Sequence, residues 1–582
     1  MSTAVHYDLA GDCQVLVNQV GYDSAHPKKF IVQCRHMPET KHGTFVLVDA
    51  VNGEIAFAGE LCRWGRVYDG TEHDWGFDYW TGEFSEYRVA GNYIIRVSFG
   101  GITAESYPFQ IGVGVLWNEI SPLAFRYFRN ARNFAENFNS AEKANDPDWV
   151  PKPFQNNGIL EDDGRFYDVN GAWFEFGAHG GTFLRDATRV MLSILWGMER
   201  DPASSMIQDE MQWGADWWKK IMLRYPESAL IVSGMGGWHA DNGKIALYEY
   251  PFGLHEYMKF YSMLIYARLY ELTGDVEYLG RGELMWEQFC QWVETDKVFS
   301  LFHETGKSQE ADGINYRASW KEPGFNYTKV DDAAFLFGDV ALFRATGNER
   351  YLRHAERMVD NILSEIDGEE SYFKFWNNNY SHDNPSALAY FADKLPDHPK
   401  TNAIKAYLEA FMDAMIRDCA VSPFGVARKN FIYYESWNPE GRKPDATRAF
   451  FNRSEEGKGV NPEYGLEVWQ ALLIHRAIPK KEYVDFALNH INWVLGLNPR
   501  NLCMMKGAGT ANPKMRPGGM LDGCVCHGLI ADHGYDRPWL GLWMDTAMDW
   551  HKDQIAGYKI WAQGEALIRG TACFMMGLGL LE

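Results

Sequence analysis

No stretch of the sequence reaches the roughly 18 uncharged apolar residues that cross a bilayer. No basic amphipathic segment is present that would lie flat on one, so no membrane partner is expected. Met1 to Ala10 lack the apolar core of a signal peptide, and the expectation for localisation is cytoplasmic. Basic residues are outnumbered: 56 Lys+Arg stand against 78 Asp+Glu, a net charge of −22. Such a surface is repelled by phosphate backbones, which excludes nucleic acid as an expected partner. Cysteines are few, 9 in all, odd in number and scattered. Cys524-Val525-Cys526-His527 is their one cluster, and it lacks the second ligand pair of a zinc site. No metal and no cofactor are expected, and the thiols read as buried and reduced. Repeats of fixed period and low-complexity segments are also missing, which argues against a solenoid.

What is present is aromatic. Trp 22, Tyr 30 and Phe 35 make 15% of the 582 residues. Rings of this size fill cores, and they also stack on the apolar faces of sugars. A chain of this length is expected to hold two or three domains.

Residues 13–112 carry short β-rich runs: Val15–Val17, Phe30–Val32, Thr44–Val48, Tyr93–Val97 and Tyr107–Ile111, separated by Gly, Asp and Asn turns. About a hundred such residues suggest a β-sandwich. Its expected extent is 1–115. From Pro122 the texture becomes helical. Three- and four-residue apolar steps recur near 183–199, 205–224, 253–272, 276–294, 331–346, 349–365, 401–418, 463–477, 481–495 and 564–581. Helices in that number over 116–582 are expected to pair into an (α/α)6 barrel, with a cleft formed by the loops at one end.

Four stretches resemble glycoside hydrolase family 9. Val17-Asn18-Gln19-Val20-Gly21-Tyr22, with Ala90-Gly91-Asn92-Tyr93 and Tyr107–Ile111, resembles the immunoglobulin-like module that precedes the catalytic barrel in that family. Glu210-Met211-Gln212-Trp213-Gly214-Ala215-Asp216-Trp217-Trp218 resembles its early barrel helix. Trp493–Arg500, with Pro517–Gly523 after it, and Gly564-Glu565 ahead of an apolar C-terminal helix complete the ordered set. The resemblance implies inverting hydrolysis of β-linked glycans by two carboxyl groups. One protonates the leaving oxygen and the other activates a water on the opposite face.

The resemblance implies that Glu565 is the general acid. A carboxylate there also suits the first turn of a helix. The base departs from the pattern. Where the family has Gly-Trp-Tyr-Asp-Ala-Gly-Asp, this chain has Gly171-Ala172-Trp173-Phe174-Glu175-Phe176-Gly177-Ala178-His179. With Trp173 as anchor, Glu175 falls on the first aspartate. Ala178 falls on the second or, with one extra residue between them, His179 does. Glutamate displaces the carboxylate, and histidine is a competent base without a fixed negative charge. Asp168 lies just upstream and matches an acidic residue of the pattern. The family's His-His-Arg cluster is also missing after Asn498.

Candidate stacking rings are Trp173, Trp238, Trp320, Trp376, Trp437, Trp543 and Trp561, each of which also suits core packing. The expected function is that of a glycoside hydrolase acting on oligosaccharides, exo-acting and not an efficient cellulase. A lyase or epimerase on the same scaffold and a non-catalytic glycan binder are the alternatives. Oligomeric state is open.

Overall fold

The computed structural model describes residues 13–35, 42–132, 158–160, 166–168, 171–174, 182–223, 225–227, 229–231, 234–235, 258, 260–295, 328–376, 383–432, 448–451, 459–513, 522–532, 535–540, 554–555, 558–559 and 567–582. Nine strands come first: β1 (Cys13–Leu16), β2 (Gly21–Asp23), β3 (Lys29–Cys34), β4 (Gly43–Asp49), β5 (Ile55–Arg66), β6 (Asp78–Glu83), β7 (Gly91–Phe99), β8 (Ile102–Glu105) and β9 (Phe109–Gly112). They follow one hydrogen-bonded path, β1-β3-β6-β5-β4-β7-β9-β2, with β8 paired to β7. β5 makes the corner. Ile55–Leu61 pair with β4 and Cys62–Arg66 with β6, with a register shift between Arg63 and Gly65. A bulged strand of that length can serve both layers of a sandwich.

Side chains alternate across a strand, and the alternation here feeds two cores. On β3, Phe30, Val32 and Cys34 enter the sandwich core, while Ile31 joins the barrel core. On β6, Trp80 turns inward and Tyr79 turns to the barrel. The sequence expectation of reduced thiols throughout is corrected at one place. Antiparallel pairing sets Cys13 opposite Cys34, and the two form a disulfide. Cys419, Cys503, Cys524, Cys526 and Cys573 are buried and reduced, as expected.

Twelve α-helices are described: α1 (Val115–Ala131), α2 (Leu184–Arg200), α3 (Ser205–Ile221), α4 (Tyr261–Thr273), α5 (Val276–Thr295), α6 (Thr328–Thr346), α7 (Glu349–Ser364), α8 (Asp383–Lys394), α9 (Thr401–Cys419), α10 (Asn461–Ala477), α11 (Lys481–Val494) and α12 (Ile568–Leu578). The even-numbered helices close a ring, α2-α4-α6-α8-α10-α12 and back to α2. The odd-numbered helices pack outside it. This is the (α/α)6 barrel. Burial separates the two classes. α12 is buried along its whole length, whereas α7 buries only Tyr351, His354, Ala355, Met358, Val359 and Ile362, a stripe at three- and four-residue steps.

Two readings change. The texture change at Pro122 is not a helix start: α1 opens at Val115 with Pro122 inside it. Val115, Leu116, Trp117 and Ile120 are buried, and α1 packs against β2 and β9, which outweighs the hydrogen bond that proline removes. The passage from strand to helix therefore falls at residues 113–114. Helix α8 was missed, because Asp383-Asn384-Pro385 reads as a turn. Proline is in fact well tolerated in the first turn of a helix.

Two of the motifs that carried the resemblance meet at the seam between the units. Asn18 Nδ2 donates to Asn492 Oδ1 at 2.9 Å, and the Gln19 backbone N–H donates to the Leu495 carbonyl at 2.9 Å. Gln19 Oε1 accepts from the backbone N–H groups of Thr510 and Ala511. Gly496 sits at φ +130°, and a Cβ there would stand 2.8 Å from the Val17 carbonyl oxygen. Glycine at this place is what lets the two backbones touch.

Candidate active site

Each inner helix is preceded by an outer helix that returns the chain, so the six inner helices run in one direction and their N-termini share one end of the barrel. Residues 171–174 lie ten residues and more ahead of α2, and Leu567 immediately precedes α12. These helices are ring neighbours, so both segments lead into the same side of the barrel mouth.

Three hydrogen bonds hold the 171–174 segment to the helices behind it. Trp213 Nε1 donates to the Ala172 carbonyl at 2.8 Å, and the Phe174 N–H donates to the Ala131 carbonyl at 2.9 Å. Trp173 is fully buried, and its Nε1 donates to Glu210 Oε2 at 2.8 Å. The backbone bends sharply to allow this. Ala172 is left-handed at φ +57°, and Gly171, at φ +143°, passes so close to Trp217 that a Cβ would meet its ring at 2.6 Å. Such strain persists only where surrounding contacts impose it.

Glu210 is the centre of this mount. Its carboxylate is fully buried and lies 2.7 Å from Arg132 Nη2, which also reaches Asp209 at 2.9 Å. Arg132 in turn covers the Trp213 ring at 4.8 Å. Burial pushes the Glu210 carboxyl up to about 7, against the opposing pull of Arg132 and of the Trp173 indole.

The α12 side is mounted on neutral groups. Thr571 Oγ1 accepts from the Val525 N–H at 2.9 Å and donates to the Gly523 carbonyl at 3.1 Å. Asn461, at the head of α10, donates to the Cys526 carbonyl at 2.9 Å. The loop 523–528 is thus tied to the heads of two inner helices. Burial raises the Cys524 thiol to about 12 and pushes Cys526 higher still, so both stay protonated. Among the described residues no three His, Cys, Asp or Glu side chains gather as a metal-binding group.

Across the bore, Arg189 Nη2 of α2 donates to Asp383 Oδ1 of α8 at 3.3 Å, and these helices are opposite one another in the ring. The guanidinium lies 5.4 Å from the Tyr261 ring and 5.9 Å from the Trp469 ring. Both charged side chains are almost wholly buried. The pair and its rings fill the barrel interior.

Among the sequence-predicted residues, Trp173 is placed as a buried anchor, not as an open stacking face. Asp168 ends the strand Phe166–Asp168, opposite Gly158 in a two-stranded ribbon. Trp376 ends the strand Lys374–Trp376, which pairs in parallel with 430–432. Glu175, His179, Glu565, Trp238, Trp320, Trp437, Trp543 and Trp561 lie outside the described residues. Sequence reasoning missed Glu210, Arg132, Thr571 and the Arg189–Asp383 pair. Glu210 opens one of the resemblance-bearing stretches, so its signal was in hand; a lone arginine at the end of α1 offered none.

Comparison with known proteins fits this architecture. The family model described as Cellulase N-terminal ig-like domain matches residues 11–101. The one described as Glycosyl hydrolase family 9 matches residues 296–517, a span that holds neither candidate segment. No curated protein matches the chain. Among solved structures, a metagenome-derived family 9 endoglucanase aligns with a TM-score of 0.64 at 18% identity, over 97% of this chain and 98% of its own. A thermostable endoglucanase mutant from Alicyclobacillus acidocaldarius aligns at 0.62 and 14%, over 98% and 99%. A family 9 protein of Bacteroides ovatus aligns at 0.61 and 15%, over 97% and 98%. Identities this low speak for the fold. The sandwich is thus matched by the immunoglobulin-like model and residues 296–517 of the barrel by the family 9 model, in that order, which identifies a glycoside hydrolase acting on O-glycosyl bonds.

Proposed function

We propose that the chain hydrolyses short β-linked oligosaccharides from a chain end, with Glu565 as general acid and with the water activated by Glu175 or His179. The observation that carries this reading is the shared mouth: the segments leading to these residues enter neighbouring inner helices at one end of the barrel. An acid and a base on opposite sides of one bond need such a placement, about 6.5–9.5 Å apart. The reading of poor cellulase action rests on the sequence. Glu175 with Ala178 or His179 replaces the two aspartates, and no histidine stands between Asn498 and Pro517.

A second reading has its own support. Two of the similar solved structures are described as endoglucanases, and they align over nearly the full length of both chains. An internal cut in a β-glucan is therefore the rival activity. Carboxymethyl-cellulose viscometry beside a panel of α- and β-linked di- to hexasaccharides separates the two. The proposal expects single-sugar release from oligosaccharides with unchanged polymer viscosity. A rapid viscosity drop replaces it with the endo reading. An unsaturated product, or binding without turnover, overturns both.

A further inference from the structure

On the outer wall of the barrel, away from the 171–174 and α12 mounts, three helices bring together a cysteine, a histidine and an aspartate. Cys290 comes from α5, Asp339 from α6 and His354 from α7. Asp339 is fully buried and both its oxygens are engaged. Trp286 Nε1 donates to Oδ1 at 2.5 Å, and His354 Nδ1 stands 2.7 Å from Oδ2. That second contact assigns the imidazole proton to Nδ1, which leaves Nε2 as an acceptor. Nε2 lies 3.7 Å from Cys290 Sγ, within reach of a thiol donor. The ring is clamped edge-on by Trp286, with centroids 5.4 Å apart, and packs against Phe335 at 5.0 Å. Cys290 is partly exposed, while His354 is only 7% exposed.

We propose that Cys290 is a modification site, an activated thiol that exchanges with small-molecule disulfides. His354 Nε2 takes the proton from Sγ, and Asp339 holds the resulting imidazolium in place. The thiolate attacks one sulfur of the disulfide, so that a new S–S bond forms on Cys290 while the old one breaks. The departing thiolate recovers the proton from His354. One disulfide is consumed and one formed, and no outside oxidant is needed. An aspartate–histidine pair oriented on a thiol is an arrangement that activates nucleophiles. Other charges face the pair as well. Asp332, on α6, interacts with both His354 and Asp339, and Glu365 of α7 lies beside Asp332. Arg357 of α7 acts on Asp339, and Arg350 covers the Trp286 ring at 5.1 Å. Burial raises the Asp339 carboxyl, while His354, Trp286 and Arg357 pull it back toward its ionised form.

The test uses the full chain and an internal reference. Cys62, exposed on β5, is a second accessible thiol. Alkylation by iodoacetamide, mapped by peptide mass against pH, gives a rate profile for each. The Cys290 profile is expected to inflect at least about one pH unit below that of Cys62. His354→Gln is expected to move the Cys290 inflection up to that of Cys62. Oxidised glutathione is expected to add one mixed disulfide at Cys290, absent in Cys290→Ser. Coincident inflections, a Cys290 that resists labelling in the native protein, or a profile unmoved in folded His354→Gln would each overturn the proposal. The wild-type profile decides even where the variant does not fold.

Discussion

At one side of the barrel mouth the chain is mounted on groups that do not titrate near neutrality. Thr571 and Asn461 hold the 523–528 loop against the heads of α12 and α10 through backbone carbonyls and an N–H. At the other side, residues 171–174 hang from Glu210, a buried carboxyl lifted to about 7 and gripped by Arg132. The sequence departs from the family pattern just beyond this second mount, at Glu175 and Ala178 or His179, while Glu565 beyond the first keeps the family's residue. On the proposed assignment the acid and the base stand beyond mounts of different chemistry, and of the two mounts only that of residues 171–174 holds a carboxyl lifted to about 7.

The largest effects are expected at the residues the two mounts lead to. Glu565→Gln should fold normally and lose at least about a hundredfold in turnover, the usual worth of a positioned acid. Glu175→Gln and His179→Asn then divide the base role. Whichever variant loses about a hundredfold, with its alkaline or acidic limb flattened in the pH–rate profile, held the water. Equal and small losses in both would break the comparison, because no base would then stand on the second mount. Near-wild-type turnover in Glu565→Gln would break it from the other side.

A middle-sized effect is expected from Glu210. Its folded pKa, about 7, lies above the ordinary value of 4.5. The folded state therefore binds a proton that the unfolded chain has released, and stability from this group is present in full below pH 4.5 and lost as pH rises through about 7. The full swing is about 3 kcal/mol or less. Melting temperatures of the wild type should therefore fall between pH 4.5 and 7 more steeply than those of Glu210→Gln, which keeps an acceptor for Trp173 but cannot titrate. Parallel curves would show that Arg132 keeps the carboxylate ionised throughout.

Much of the fold was legible because it rests on periodicity and on turn chemistry. The strands that alternate and the helices that step by three and four declared themselves, whereas the motifs at 17–22 and 493–500 were legible only as resemblance and their meeting at the seam was not. β5 and β6 were not read, since β5 buries only Leu61 and carries two glycines, and β6 (Asp78–Glu83) has no aliphatic residue to mark a strand. α8 was hidden behind a proline. The site was legible only as resemblance. Trp173 anchored the alignment, but its indole faces Glu210, a contact that joins residues 37 positions apart. No local pattern encodes such a pairing, nor the reach of Arg189 across the bore to Asp383, 194 positions on.

The smallest effect is expected at Gln33, a neutral side chain at the seam. Gln33 is almost fully buried, and its Nε2 donates to the Pro499 carbonyl at 3.1 Å, beside the motif that Gln19 also grips. Its Oε1 finds no hydrogen-bond partner among the described residues. Gln33→Met keeps the length of the side chain and removes both atoms. The Pro499 carbonyl loses a donor, which costs about 1–3 kcal/mol where the group stays dry, but an unsatisfied buried oxygen is removed at the same time. These terms oppose each other, and the net change in unfolding free energy should stay near or below about 1 kcal/mol. Turnover should not change, because Gln33 touches neither the 171–174 segment nor the head of α12 in any contact it makes across the seam. If Gln33→Met lowered turnover while leaving stability intact, the neutral supports would be transmitting something to the mouth. The contrast between a titrating mount and inert ones would then have to be redrawn.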